Sequence, residues 1–178
     1  SDAMRRNKED FVKSRKMVDA HGTLNVAKIC NYLNIHSDKD AIFTNGAGNF
    51  AVWSGKYLNY SKEHRLLAPQ AGAMGAGVPA ALAAKSIYPN RQVICFAGDG
   101  DFQMSASELG TAMQEGLNPI ILIHNNGSYG TIRMHQEMRY PKRVSGTNLK
   151  NPKFKCIAEA YNFGYSKITN LSEFKVAF

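Results

Sequence analysis

Two apolar runs constrain the fold of this chain more than any other feature. RQVICFAG leads into the triplet Gly98-Asp99-Gly100, and PIILIHNN ends in Asn125-Asn126, with 24 residues, 101–124, between triplet and pair. Both runs are continuously apolar, the mark of strands covered on both faces, and read as buried strands. The intervening SASELGTAMQEG reads as a helix, with Ser105 and Glu108 at capping-box spacing and Gly116 at its C-terminus. A helix of about 12 residues rises roughly 18 Å, close to the length of a six-residue strand. It carries the chain back, and the second strand then runs parallel to the first. A right-handed crossover leaves both C-terminal strand ends on one edge of the sheet, where open α/β sheets bind ligands. Asp99 and Asn126 are thereby predicted to lie side by side.

The rest of the chain follows the same alternation. TLNVAKICNYL (23–33) reads as a helix with one apolar face, and AIFT (41–44) as a short strand entering the glycine turn NGAGN. A polar, aromatic stretch follows to Arg65. GAMGAGVPAALAAK (72–85) opens with small residues and continues as a buried, alanine-rich helix whose start must pack closely on a backbone or ring. YGTIRMHQEM reads as a helix, FKCIAEAYNFGYSKI as a helix and a further strand, and LSEFKVAF as the start of another helix. The predicted class is α/β, with a mainly parallel sheet and helices on both faces. Residues 1–20 read as an expression remnant (SDAM) and a charged leader, helix or linker, and 21–178 as one domain.

Composition excludes several functions. The net charge is +8, from 22 basic against 14 acidic residues. The basic clusters at 5–16 and 133–155 lack the interleaved aromatics of a base-stacking platform, so a solvated face is the better reading and nucleic acid is not an expected partner. No run reaches the roughly 20 apolar residues of a membrane span. Cys30, Cys95 and Cys156 lie far apart with no CxxC pair, which suits a reducing, cytoplasmic setting rather than a zinc site or disulfide framework.

The chemistry at the predicted sheet edge is specific. A carboxylate and an amide oxygen are hard ligands, suited to Mg²⁺ or Ca²⁺. Two side chains cannot fill an octahedron, and magnesium usually completes its shell with water and phosphate oxygens. Gly98 and Gly100 let the backbone approach such a phosphate.

GDG, 24 residues and NN closely resemble the magnesium-diphosphate signature of thiamine diphosphate enzymes. NGAGNFAVW, GAMGAGVPAALAAK, AGDGDFQM and NNGSYGTIRMHQEMRYP extend the likeness to the C-terminal diphosphate-binding domain of the acetolactate synthase-like group, from about residue 24 onward. The resemblance implies thiamine diphosphate and Mg²⁺ as cofactors. Asp99 and Asn126 resemble the side-chain metal ligands, and Ser128 the residue that gives its main-chain carbonyl. Gly98, Gly100 and Asp101 hold positions whose backbone approaches the diphosphate, with Tyr129 and Gly130 following the metal loop. Gly48, Asn49 and Phe50 stand where relatives hold the diphosphate with polar side chains, often a Gln-His pair; Phe50 has no donor to offer. Gly72 resembles the residue whose carbonyl accepts from the cofactor's 4′-amino group, and Met74 the one that props the cofactor in its bent form.

Blander readings compete at single positions. Asp99 alone could cap a helix, and Met74 alone could be core, but neither explains the set. His124, inside an apolar strand, reads as a packed, hydrogen-bonded histidine, and Asn45 as turn chemistry. Arg133 and His135 could line a substrate pocket or a solvated helix face. The activating glutamate of the family belongs to a separate pyrimidine-binding domain, usually from a second subunit, so no catalytic residue is assigned in this chain. The chain reads as a fragment of a larger carboligase or decarboxylase acting on 2-oxo acids, inactive alone and expected to be a homo-oligomer. The alternative is a non-catalytic homologue that kept the fold, either as a cofactor-binding module or as a regulatory protein.

Overall fold

The computed structural model describes residues 2–18, 23–61 and 63–178. Residues 19–22, within the leader and at the start of the predicted domain, lie outside the described residues. The chain forms two compact units, one of 37–52 and 60–166, the other of 1–36, 53–59 and 167–178.

The larger unit is built on a four-stranded, wholly parallel sheet of order β2-β1-β3-β4. The strands are β1 (Ile42–Asn45), β2 (Arg65–Leu67), β3 (Val93–Gly98) and β4 (Ile120–His124). β3 and β4 are neighbours, as the crossover requires, and Gly98 pairs with His124. Helix α4 (Gly77–Ile87) covers one face, with α5 (Asp99–Gln103), α6 (Leu109–Glu115) and α8 (Phe154–Ala160). Their core joins Ile42, Val93, Cys95 and Ala97 from the strands to Val78, Ala81, Leu82, Phe102, Leu109 and Ala112. The alternate strand residues Phe43, Ile94 and Phe96 point the other way and are also fully buried. There the first turn of α3 (Asn49–Tyr57) brings Phe50 over the Gly98 end of β3.

The smaller unit contains α1 (Asp2–Ser14), α2 (Val26–His36) and α9 (Leu171–Ala177). Tyr32 of α2 meets Phe174 and Phe178 edge-on at 5.9 and 6.0 Å. The Arg15 guanidinium donates to the carbonyls of Tyr57 and Leu58 at the C-terminus of α3, where a cation suits carbonyls that lack intrahelical partners.

Four features depart from the sequence reading. The polar, aromatic stretch that ends at Arg65 holds most of α3, and β2 begins at its last residue. α3 buries Ser54 while Val52 is 62% exposed, so its pattern carries no clean apolar face. The three-residue β2 is solvent-exposed throughout, too short to show a period. The Ser105–Glu108 capping box does not form: a 3₁₀ turn at Ala106–Glu108 intervenes, Glu108 instead accepts from Thr111 Oγ1, and the buried Ser105 hydroxyl has no partner among the described residues. A cap of that kind occurs at α9, where Asn170 Oδ1 accepts from the Glu173 amide at 3.0 Å and Glu173 accepts from Thr169. No strand follows α8; residues 163–168 run without a ladder, since Gly164 weakens a strand and the run's central residues lie exposed. β4, read as buried, is half-buried along its length at the sheet margin.

The small residues before α4 serve the close packing that their size implied. A Cβ on Gly77 would lie 2.7 Å from the Gly46 nitrogen and 3.0 Å from the Asn45 carbonyl carbon, both backbone atoms that cannot turn away. Thr44 Oγ1 donates to the Gly77 carbonyl at 2.9 Å and holds the approach. Gly77→Ala should therefore cost about 1–3 kcal/mol, an overpacking penalty read as a lowered urea midpoint.

All three cysteines are free, and only Cys156 is exposed. Burial pushes the Cys30 and Cys95 thiols up to about 12, so neither offers thiolate at pH 8. Ellman titration of the native protein at that pH should count one fast thiol, and three after unfolding.

Candidate functional site

The parallel register brings the ends of β3 and β4 together, and the loops beyond them interlock. Asp99 opens α5 and is only 2% exposed. Its Oδ2 accepts from the Gly127 amide at 2.8 Å and from Asn151 Nδ2 at 2.6 Å. The loop after β4 is thus tied to the carboxylate at the end of β3. Asn126 Oδ1 accepts from the Ser128 amide, and the Ser128 carbonyl accepts from the Gly130 amide. Behind them, Leu149 N donates to the Gly127 carbonyl and Tyr129 N to the Thr147 carbonyl, fixing the loop against 147–149. The Tyr129 ring lies against Gly100, where a Cβ would meet it at 2.5 Å.

Asn151 is the participant that sequence reasoning missed. Its amide nitrogen donates to Asp99 and, at 2.8 Å, to Asn125 Oδ1, while its oxygen accepts from Gln103 Nε2. Nothing in the local pattern NPKF marks it, because its role arises from contacts 52 and 26 residues away.

The donor set fits a hard divalent cation. The Asp99 carboxylate is buried and has no cationic side chain paired with it among the described residues. Both hydrogen bonds to it fall on Oδ2, and a hard cation suits a carboxylate as a further partner. The Asn126 amide and Ser128 carbonyl flank Gly127, the residue bonded to Asp99, so carboxylate, amide and carbonyl oxygens share one locality. Among the described residues no group of three or more His, Cys, Asp or Glu gathers, so an ion held here would take its other ligands from amide and carbonyl oxygens, water and a bound group.

A second set of turns meets at Asp101, which is also 2% exposed. Its Oδ1 accepts from the Ala47 amide at 3.1 Å and the Gly75 amide at 2.8 Å. Burial raises its pKa, and the amides of Gly75, Ala47 and Gly98 oppose that rise. The sequence suggested only a backbone contact for this residue; its side chain joins the Gly48–Phe50 turn to the turn carrying Gly72 and Met74. In that turn Gly72 is exposed and Met74 half-buried.

Asn49 Oδ1 accepts from Thr131 Oγ1 at 2.9 Å, linking this turn to α7 (Gly130–Arg139). Phe50 stacks on His124 at 5.7 Å, and His124 stacks on Phe96 at 5.5 Å. His124 Nδ1 lies 3.2 Å from the Ala97 carbonyl, and burial lowers its pKa, so it is the packed histidine that the sequence indicated. Asn45 Nδ2 donates to the Gly46 carbonyl, a local turn bond. Arg133 and His135 lie on α7, which buries no residue, and both are exposed.

Asn151→Ala would remove the 2.6 Å bond to Asp99. Hydrogen bonds to charged groups contribute about 1.5–3 kcal/mol, so stability should fall by about that amount in urea denaturation.

Residues 46–178 match the family model described as thiamine pyrophosphate enzyme, C-terminal TPP binding domain. An acetolactate synthase from Arthrospira platensis is 37% identical over 128 residues, covering 71% of this chain and 22% of that protein. An acetolactate synthase large subunit from Lactococcus lactis subsp. lactis (strain IL1403) is 36% identical over 137 residues, 76% of this chain and 24% of that one. The chain therefore spans less than a quarter of the length of these relatives. In structure it resembles the Rhodococcus jostii RHA1 thiamine diphosphate-dependent 4-hydroxybenzoylformate decarboxylase, with a TM-score of 0.82 and 26% identity. That likeness covers 91% of this chain and 31% of the other.

Proposed function

The chain belongs to the thiamine pyrophosphate enzymes through their C-terminal TPP binding domain, and from this we propose that it holds the magnesium-diphosphate end of thiamine diphosphate in an acetolactate synthase-like carboligase or decarboxylase of 2-oxo acids. Residues 21–178 form the cofactor domain behind a charged leader. The observation that carries the reading is Asp99: a carboxylate 2% exposed, with no paired cation among the described residues, beside a loop of amide and carbonyl oxygens. It also favours cofactor binding over a homologue that binds nothing, since such a homologue has no need of a carboxylate, an amide and a carbonyl oxygen gathered at one loop.

Asp99, Asn126 and the Ser128 carbonyl would hold the ion. The backbone of Gly98, Gly100 and Asp101, with Gly48, Asn49, Tyr129 and Gly130 around it, would hold the diphosphate. Phe50 contributes a flat apolar wall over Gly98 instead of a hydrogen bond. Gly72 and Met74 would meet the aminopyrimidine end. When bound, thiamine diphosphate supplies carbanion chemistry at a carbonyl. This chain's part is to bind and orient. The activating carboxylate is expected from a pyrimidine-binding domain of a second subunit in a homo-oligomer. A cytoplasmic location would keep the three free cysteines reduced.

Two outcomes test the proposal. Calorimetry should detect thiamine diphosphate binding only with Mg²⁺ present, and Asp99→Ala should abolish it, because the ion loses its anionic protein ligand. Equal affinity without the metal, or in the variant, overturns the site. Purified chain with saturating cofactor, Mg²⁺ and pyruvate should release neither acetolactate nor aldehyde above free cofactor. Sustained turnover would mean that the chain carries its own activating group.

A further inference from the structure

The GDG motif is followed here by a second carboxylate, and its placement asks for an account. An aspartate side chain reaching into a diphosphate site would repel the ligand. Asp101 does the opposite. It is 2% exposed, and one oxygen, Oδ1, accepts from two backbone amides belonging to different turns, Ala47 at 3.1 Å and Gly75 at 2.8 Å. The fit is tight on the side of the first turn. A Cβ on Gly46 would collide with both Asp101 carboxylate oxygens. On the side of the second, Gly75 has φ +80° and a Cβ there would lie 3.0 Å from Met104 Cβ. Both turns have thus given up side chains at the points where the carboxylate and its helix press against them.

At their bases the two turns already meet, where Gly77 packs on Gly46 and Thr44 Oγ1 donates to the Gly77 carbonyl; Asp101 joins them further out, at Ala47 and Gly75. One leads from β1 into Gly48–Phe50, beside the diphosphate loop; the other carries Gly72 and Met74 and leads into α4. They end in amides that need an acceptor once buried, and the Asp101 carboxylate provides it for both. We propose that Asp101 is a positioning residue, whose side chain sets the spacing between the diphosphate-binding and aminopyrimidine-binding turns by accepting both amides on one oxygen. This rests on the cofactor reading above, and extends it from the groups that touch the ligand to a side chain that touches only the backbone behind them. Asp101 touches no ligand through its side chain. Its effect passes through Ala47 and Gly75.

The test compares Asp101→Ala with Asp101→Asn, which keeps an Oδ1 acceptor of the same reach. Two measurements are made on the full chain: amide exchange of Ala47 and Gly75 by NMR without ligand, and calorimetry with thiamine diphosphate and Mg²⁺. Asp101→Ala should speed exchange of both amides at least tenfold, leave the Ile94 and Phe96 amides of β3 unchanged, and weaken cofactor binding at least tenfold. Asp101→Asn should bring both readouts back to within about threefold of wild type. Wild-type exchange at Ala47 and Gly75 in the alanine variant overturns the proposal. So does equal acceleration at Ile94 and Phe96, which marks general loosening, or an asparagine variant as impaired as alanine. If wild type shows no cofactor binding while the two amides respond as described, the cofactor reading fails and takes the positioning role with it. Asp101 is then a clamp of the fold alone. Should Asp101→Ala not fold, the Asn variant decides: protected amides with near-normal affinity support the proposal, and fast exchange or lost binding overturns it.

Discussion

The bond from the Gly127 amide to the buried Asp99 carboxylate joins the end of one strand to the loop beyond its neighbour. It can exist only because β3 and β4 are parallel and in the register that pairs Gly98 with His124. A shift of one residue would point the loop's amide elsewhere and, for β3, exchange Cys95 and Ala97 with Ile94 and Phe96 between the two covered faces. Sheet register and site geometry are therefore one constraint. The same edge receives Asn151 from beyond α7 and, through Asp101, the turns after β1 and before α4.

Much of this was legible in the residues, for physical reasons that can be named. Continuous apolar strands with an intervening crossover admit little but a parallel sheet, and the GDG and NN endings then fall on one edge. Gly77 announced close packing because nothing larger than hydrogen fits against the Gly46 nitrogen. What stayed hidden has equally definite causes. α3 buries a serine and exposes a valine, so a search for apolar periodicity passes over it. The Ser105–Glu108 spacing is genuine in sequence, but the chain spends the preceding residues on α5 and restarts through a 3₁₀ turn, which leaves the cap unused. Asn151 and the Asp101 side chain act across distances of 26 to 54 positions, and local pattern carries no trace of such pairings.

Phe50 shows how one departure is absorbed. In the place where the family resemblance puts a hydrogen-bonding side chain, this chain stacks a ring on His124, which rests on Phe96. Aromatic pairs at such separations contribute about 0.5–1.5 kcal/mol beyond the area they bury. The ring thereby forms an apolar wall beside Gly98 where the resemblance implies a polar side chain.

The residues around the sheet edge come from five stretches of chain, near 46–50, 72–75, 98–101, 125–130 and 147–151, and almost none of their mutual contacts are local. A parallel sheet offers no hairpin from which such an arrangement could grow, and closing long loops must precede the contacts that reward it. The edge's contacts reward folding only after those loops have closed. A ligand that binds the closed edge and not the transition state for folding exerts its stabilising effect on the rate of unfolding. Its presence would lengthen the lifetime of the native state without hastening its formation.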